Sequence, residues 1–263
     1  MTHRGVCFRA ALLGGVAAIS LPASADAGAW NQPKGQGQVI LKYEPMWSQR
    51  RFDPDGNRVA LAHQREDQVV SVWGEYGLTD KVTLLLKTDW QDADDGTRSY
   101  RGMGPTEVGG RWQVLSRETS VVSMQASYVT DSQGRNAAWG SPGEGTQEFD
   151  LRFLAGHSFV RKNRQQFVEV QLARRWRDHL PDETRLEATA GVHLSSKYTI
   201  LSQLYAGQAE AGDQGDGARW ITTEIGAIRH WDSWSAQFGW RTTVAGRQVD
   251  AGNGPVVALW RRF

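Results

Sequence analysis

The chain has one cysteine, Cys7, and only eight prolines in 263 residues. It has no run of about twenty consecutive apolar residues, which a membrane-crossing helix needs. A single thiol excludes a disulfide framework and a cysteine-ligated zinc site. Scarce proline excludes an extended polyproline architecture. Charge of one sign is also missing. The formal net charge is +1, so there is no concentrated basic surface for nucleic-acid phosphates, and no nucleic-acid partner is expected. What the chain has is tryptophan, twelve of them, with 29 glycines, a composition too aromatic for a disordered polymer.

The first residues read as an export signal. Arg4 and Arg9 precede a charge-free run from Ala10 to Leu21, and Pro22-Ala23-Ser24-Ala25-Asp26-Ala27 supplies small residues at cleavage spacing. We expect a signal peptide over 1–27, cut after Ala27 (Ala25 is the alternative), and one barrel domain over 28–263. Cys7 leaves with the signal, so the mature chain has no thiol and zero formal charge. Its stability then rests on backbone pairing and packing.

Beyond residue 37 the apolar residues alternate with period two in segments of about ten, separated by Gly, Asp, Asn and Pro. Phe149, Leu151 and Phe153 alternate with Glu148, Asp150 and Arg152. Val168, Val170 and Leu172 alternate with Glu169 and Gln171, and Leu186, Ala188 and Ala190 with Arg185, Glu187 and Thr189. The pattern predicts twelve strands near 37–47, 67–77, 81–90, 105–116, 120–130, 147–160, 166–177, 184–194, 198–208, 218–231, 235–244 and 254–263. Connections after the even-numbered strands are tight. Those after the first, third and fifth are long (48–66, 91–104 and 131–146), and those near 178–183, 209–217 and 245–253 are intermediate. Short turns on one rim and long loops on the other, with an even strand number, are the pattern of a transmembrane β-barrel.

A soluble exported β-sandwich that binds a ligand would show the same alternation and is the competing fold. Aromatic placement favours the bilayer. Trp47, Trp90, Trp176 and Trp220 fall at the long-loop ends of strands, and Tyr76, Phe159, Trp231, Trp234 and Phe263 near the short-turn ends. Two aromatic bands match the two wet faces of an apolar slab. Trp73 falls on the inward phase, while Arg174, Arg229 and Arg261 fall outward near the ends.

The last strand, Gly254-Pro255-Val256-Val257-Ala258-Leu259-Trp260-Arg261-Arg262-Phe263, resembles the C-terminal assembly signal of Gram-negative outer-membrane barrels, with Phe263 as its terminal aromatic. Arg261 departs from the aromatic or apolar residue common two positions earlier. The opening Gly28-Ala29-Trp30-Asn31-Gln32-Pro33-Lys34-Gly35-Gln36-Gly37 and the Tyr76-Gly77-Leu78-Thr79-Asp80-Lys81-Val82 turn resemble a barrel family associated with the phenol meta-degradation pathway. The resemblance implies an outer-membrane location, partnership with outer-membrane lipid and the barrel assembly machinery, and passage of a small solute. It brings no catalytic residues to carry over.

The strand phase sends fifteen charged side chains inward. They are Lys42, Glu44, Glu75, Lys87, Asp89, Glu107, Arg111, Glu148, Asp150, Arg152, Glu169, Arg185, Glu187, Glu224 and Arg241, and Arg175 shares their face. Acids and bases nearly balance, which predicts an ion-pair network in a narrow lumen with little selectivity for ionic sign. The expected function is therefore a porin-like channel passing a small aromatic or hydrophobic solute, without enzymatic activity, cofactor or metal. The enzymatic alternative, a lipid or ester hydrolase, would draw on His193 near Ser195, or on His157 or His230. The Asp89, Asp92, Asp94, Asp95 group beside Gly96 reads as a solvated acidic loop.

Overall fold

A computed structural model describes residues 28–130, 147–211 and 217–263. The signal segment over 1–27 and the 131–146 connection lie outside the described residues. The alternating segments form strands β1 (Gly37–Phe52), β2 (Arg58–Thr79), β3 (Val82–Asp94), β4 (Ser99–Ser116), β5 (Ser120–Val129), β6 (Glu148–Arg161) and β7 (Arg164–Arg177). They continue as β8 (Glu183–Ser195), β9 (Tyr198–Ala209), β10 (Arg219–Trp231), β11 (Trp234–Arg247), a two-residue β12 (Val249–Asp250) and β13 (Asn253–Arg262). Each long strand pairs antiparallel with the next, and β1 pairs with both β2 and β13. The twelve long strands thus form one closed sheet with no free edge, which spares every strand the cost of unpaired backbone in lipid.

The ring closes between the chain's ends. The Gly37 amide donates to the Phe263 carbonyl at 2.9 Å, and the Phe263 amide returns the bond at 3.0 Å. Turn chemistry on the short-turn rim follows the residues. Lys162 and Asn163 take φ of 51° and 57° in the two-residue β6–β7 hairpin, the mirror-type turn that matches strand twist.

The greasy face of every strand points out. Leu84, Leu86, Phe153, Leu172, Ile225 and Phe238 are all exposed, a pattern that would be prohibitive in water and is normal in lipid. The competing sandwich is therefore not what the chain builds: one sheet closes on itself, and no second layer covers the apolar face. Phe149 and Trp176 lie ring to ring at 5.7 Å on the outer surface. From Phe149 to Phe159 the rise is about 25 Å after strand tilt, the height of a membrane barrel's apolar band. Arg229 is exposed, and Arg261 lies over the Trp234 ring at 5.1 Å, so these two of the three outward arginines sit at the short-turn interface.

Two expectations need correction. The long connections 48–66 and 91–104 are not loops. β1 and β2 run on as a paired ribbon to the turn at 53–57, and β3 and β4 to the turn at 95–98. Their largely polar, weakly alternating sequence hides the strands, because only scattered residues such as Phe52 and Ala93 are buried there. Trp220 does not join the outer aromatic band. It lies inside, against a buried cluster of Phe52, Ala209, Ala218 and Val249 that knits the β1–β2 ribbon to the β11–β13 connection. The same contact is tied by β12 pairing with Arg51 and Phe52, and by Arg65 on Asp250 at 3.1 Å.

Candidate functional site

The interior has three levels. In the half nearest the short turns, the chain crosses the rim at residues 33–36, and residues 28–32 lie in the lumen and follow its wall past six successive strands. The Gln32 amide donates to Thr83 Oγ1 at 2.9 Å, and its side chain to Glu75 at 2.7 Å. Asn31 meets Gln113 through its amide and Arg111 through its side chain. Ser123 donates its hydroxyl to the Ala29 carbonyl at 2.7 Å, and the Ala29 amide donates to Glu169 at 2.6 Å. The benzo end of the Trp30 indole abuts Gly156, where any Cβ would come within about 2.4 Å of its ring. It also packs edge-on against Phe167, 6.4 Å between centroids. The opposite side of this level is filled by lumen-facing Phe167, Leu201, Ile228, Ala258 and Trp260. Together the segment and the apolar cluster form a floor.

Above the floor lies the charge network, in which Asp150 with Arg175, Glu148 with Arg177 and Glu224 with Arg241 are direct cross-strand neighbours set by register, while the other pairs are diagonal, run along one strand or reach past an intervening strand. Asp150, fully buried, takes Arg175 at 3.0 Å, Arg152 at 2.7 Å and Arg185. Glu148 binds Arg175 at 2.6 Å and Arg177 at 3.1 Å, and Arg177 also pairs with Glu183. Arg152 reaches Glu187 at 3.0 Å. Across the lumen, Arg241 joins Glu44 and Glu224 and stacks on Tyr205 at 4.6 Å. Lys42 pairs with Glu44 at 3.0 Å, Lys87 with Asp89 at 2.9 Å, and Arg111 with Glu75 at 3.1 Å. Glu107 is buried directly opposite Lys87 in the β3–β4 register. Trp73 joins this group, its indole N–H donating to Glu75 at 3.3 Å.

The third level is a vestibule on the long-connection side, a cavity of about 380 Å³. Its walls mix Met46, Val69, Tyr205 and Trp220 with the upper charges Lys87, Arg185 and Arg241.

Sequence reasoning missed two parts of this interior. Arg177 and Glu183 belong to the network but sit at strand ends, where a loop assignment is as natural as a strand one. The 28–33 segment read as a leader to the first strand. Only Trp30 among small and polar residues hinted that it had something to pack against.

Among the described residues the histidines weighed for a hydrolase form no serine–histidine–carboxylate site. Ser195 accepts a hydrogen bond from the Lys197 amide, while His193 pairs with Thr199 at 2.9 Å. His230 bridges Thr199 and Ser235, and His157 meets Ser120. Among the described residues no carboxylate orients any of these imidazoles, as a serine–histidine relay requires. The four aspartates also do not converge. Asp89 turns inward to Ser71 and Lys87, and Asp92 faces Arg101 at 3.5 Å. Asp94 and Asp95 accept backbone amides of the β3–β4 turn, which they shape.

The geometry defines a transmembrane β-barrel with a charged, internally obstructed lumen. Neither a protein-family model nor a curated protein sequence matches the chain. Among solved structures it is similar to an outer membrane channel from Pseudomonas putida F1, with a TM-score of 0.68, 12% identity, 90% of this chain and 98% of that one covered. It is also similar to the KdgM porin in complex with disordered oligogalacturonate (TM-score 0.54, 11% identity, 86% and 99% covered). A third match is the translocator domain of the autotransporter NalP from Neisseria meningitidis (TM-score 0.51, 10% identity, 90% and 91% covered). At such identities the likeness is one of fold.

Proposed function

We propose that the chain is an outer-membrane channel for passive passage of a small solute, with residues 28–33 as its inner barrier. One observation carries this reading. The obstruction is a chain segment held by side-chain hydrogen bonds and one seated tryptophan, whereas a barrel that merely anchors or braces would be filled by side chains of its own wall. A floor seated in this way can move without breaking the sheet.

The solute class rests on two supports. The vestibule presents the aromatic and aliphatic walls of Met46, Val69, Tyr205 and Trp220, beside carboxylates such as Glu44 and Asp89 that are already engaged by Arg241 and Lys87. The resemblance to the phenol meta-degradation family points the same way, to a small aromatic or hydrophobic molecule. The partners implied are outer-membrane lipid and the barrel assembly machinery, which would read Phe263.

Planar-bilayer recording tests the reading. Wild-type protein is expected to give small, infrequent openings, and a variant starting at Lys34 larger and more persistent ones. Silence from both would overturn a channel. Block of the truncated channel by an aromatic carboxylate but not by a monosaccharide of similar size supports the solute class, and the reverse ranking removes it.

A further inference from the structure

Glu169 is the one lumenal carboxylate of the floor without a cationic side chain. It is 2% exposed and accepts the Ala29 amide at 2.6 Å and the Gln171 side-chain amide at 2.5 Å. Among the described residues no Lys or Arg lies within ion-pair distance of it. The neighbouring guanidinium, Arg111, is committed to Glu75 at 3.1 Å and to Asn31. The buried ionisable side chains of the floor are Glu75, Arg111 and Glu169, which sum to −1 when both carboxyls are ionised. An uncompensated buried charge of this kind is costly unless a counter-charge arrives.

The missing cation has a natural source. Gly28 lies directly beside Glu169. A side chain built on Gly28 would come within about 3.0 Å of Gln171 Nε2, 3.5 Å of Glu169 Oε1 and 3.6 Å of Arg111 Nη1, so the position is tight as well as close. The Gly28 nitrogen is three bonds behind the Ala29 amide that already touches the carboxylate, within about 3.7 Å of it by backbone geometry.

We propose that cleavage of the Ala27–Gly28 bond creates the ligand of this site: the freed α-ammonium of Gly28 pairs with Glu169 and locks the segment against the wall. Hydrolysis of that peptide bond consumes one water and leaves a carboxylate on Ala27 and an amine on Gly28, which is protonated at neutral pH. An unprocessed chain has an uncharged amide at the same place and leaves Glu169 unmatched. Removal of the leader therefore completes the floor electrostatically, and the lock forms only on a processed barrel. The inference does not depend on conduction.

Hydrogen exchange on the folded, exported barrel tests it in a two-by-two comparison. The chain is produced starting at Gly28, with its first residue verified by intact mass, and again with Ser-Gly placed before Gly28, each with Glu169 or Glu169→Gln. Folding of all four is checked by the shift in gel migration on heating. The Ser-Gly extension alters no wall residue, and its barrel is expected to fold even if E169Q does not. Extension alone is expected to speed exchange of the Ala29–Gln32 amides by about tenfold, and E169Q alone by a similar factor. Both together should do no more than E169Q alone, because the extension removes only a pair that E169Q has already removed. Multiplied effects, an extension without effect, or a mature chain that does not begin at Gly28 would each overturn the proposal.

Discussion

Single residues decide whether the floor stays seated. Gly156 faces the lumen at the spot where Trp30 lands, and the contact leaves no room for a methyl group. Gly156→Leu should leave the sheet intact, since position 156 keeps its β5 and β7 partners, while forcing the indole off the wall. Overpacking of this kind costs about 1–3 kcal/mol. The expected result is faster exchange across residues 28–33 and more frequent channel openings, with the heat-shift of the folded barrel unchanged. Asp150 poses the opposite case, a buried anion gripped by three arginines. Asp150→Asn removes the charge and leaves Arg152, Arg175 and Arg185 crowded around a neutral amide. Loss of one partner from a buried ionic group costs about 3–5 kcal/mol. That should appear as a lower midpoint of urea unfolding from lipid vesicles, and a midpoint equal to wild type would show that water enters the network.

Elements differ in how openly the sequence announces them. Within the bilayer one face of each strand must be greasy and the other must not, so Val168, Val170 and Leu172 against Glu169 and Gln171 fixed both the strand and its phase. The same rule put Glu44 and Arg241, which come from opposite ends of the chain and pair in the structure, on one face, but passed over Arg177 and Glu183 at the strand ends. Above the bilayer the rule lapses. Residues 48–66 and 91–104 carry only scattered apolar side chains such as Phe52, Val59 and Ala93, so their pattern did not separate ribbon from coil, and the backbone pairing that makes them strands leaves no trace in composition. Residues 28–33 were illegible for another reason, since their partners lie on six strands far away in sequence. The tip of the β1–β2 ribbon offers a test at this scale. Asp53 is held below the usual carboxylate range, first by the Asn57 backbone amide and then by the Asn57 side chain and the Asp55 amide. A depressed carboxyl stabilises its turn above the carboxyl's unfolded pKa and loses that contribution as pH falls through the folded one. Amide exchange at Asn57, corrected for its intrinsic pH dependence, should therefore lose protection as the carboxyl protonates at acid pH. In Asp53→Asn the corrected protection should be flat with pH.

At the scale of the whole molecule, closure joins the two ends of the chain, and Phe263 belongs to the seam in two separable ways. Its backbone exchanges hydrogen bonds with Gly37, which any residue could make, while its ring stays 59% exposed on the outer face. If the ring only packs, Phe263→Ala removes part of an apolar surface that lipid would cover and weakens the barrel equally wherever it folds. If the ring is what the assembly machinery reads, as proposed, the two settings part. Denatured F263A added to detergent or short-chain lipid vesicles should fold at the wild-type rate and yield, because the Gly37–Phe263 bonds and all the strand pairs remain. The same variant exported in cells should reach the membrane several-fold less efficiently, with the remainder degraded or held in the periplasm. Quantifying the heat-shifted, folded band in both settings separates the alternatives. A parallel loss in vesicles and in cells would make Phe263 a packing residue of the seam, and the terminal resemblance would then be one of composition alone.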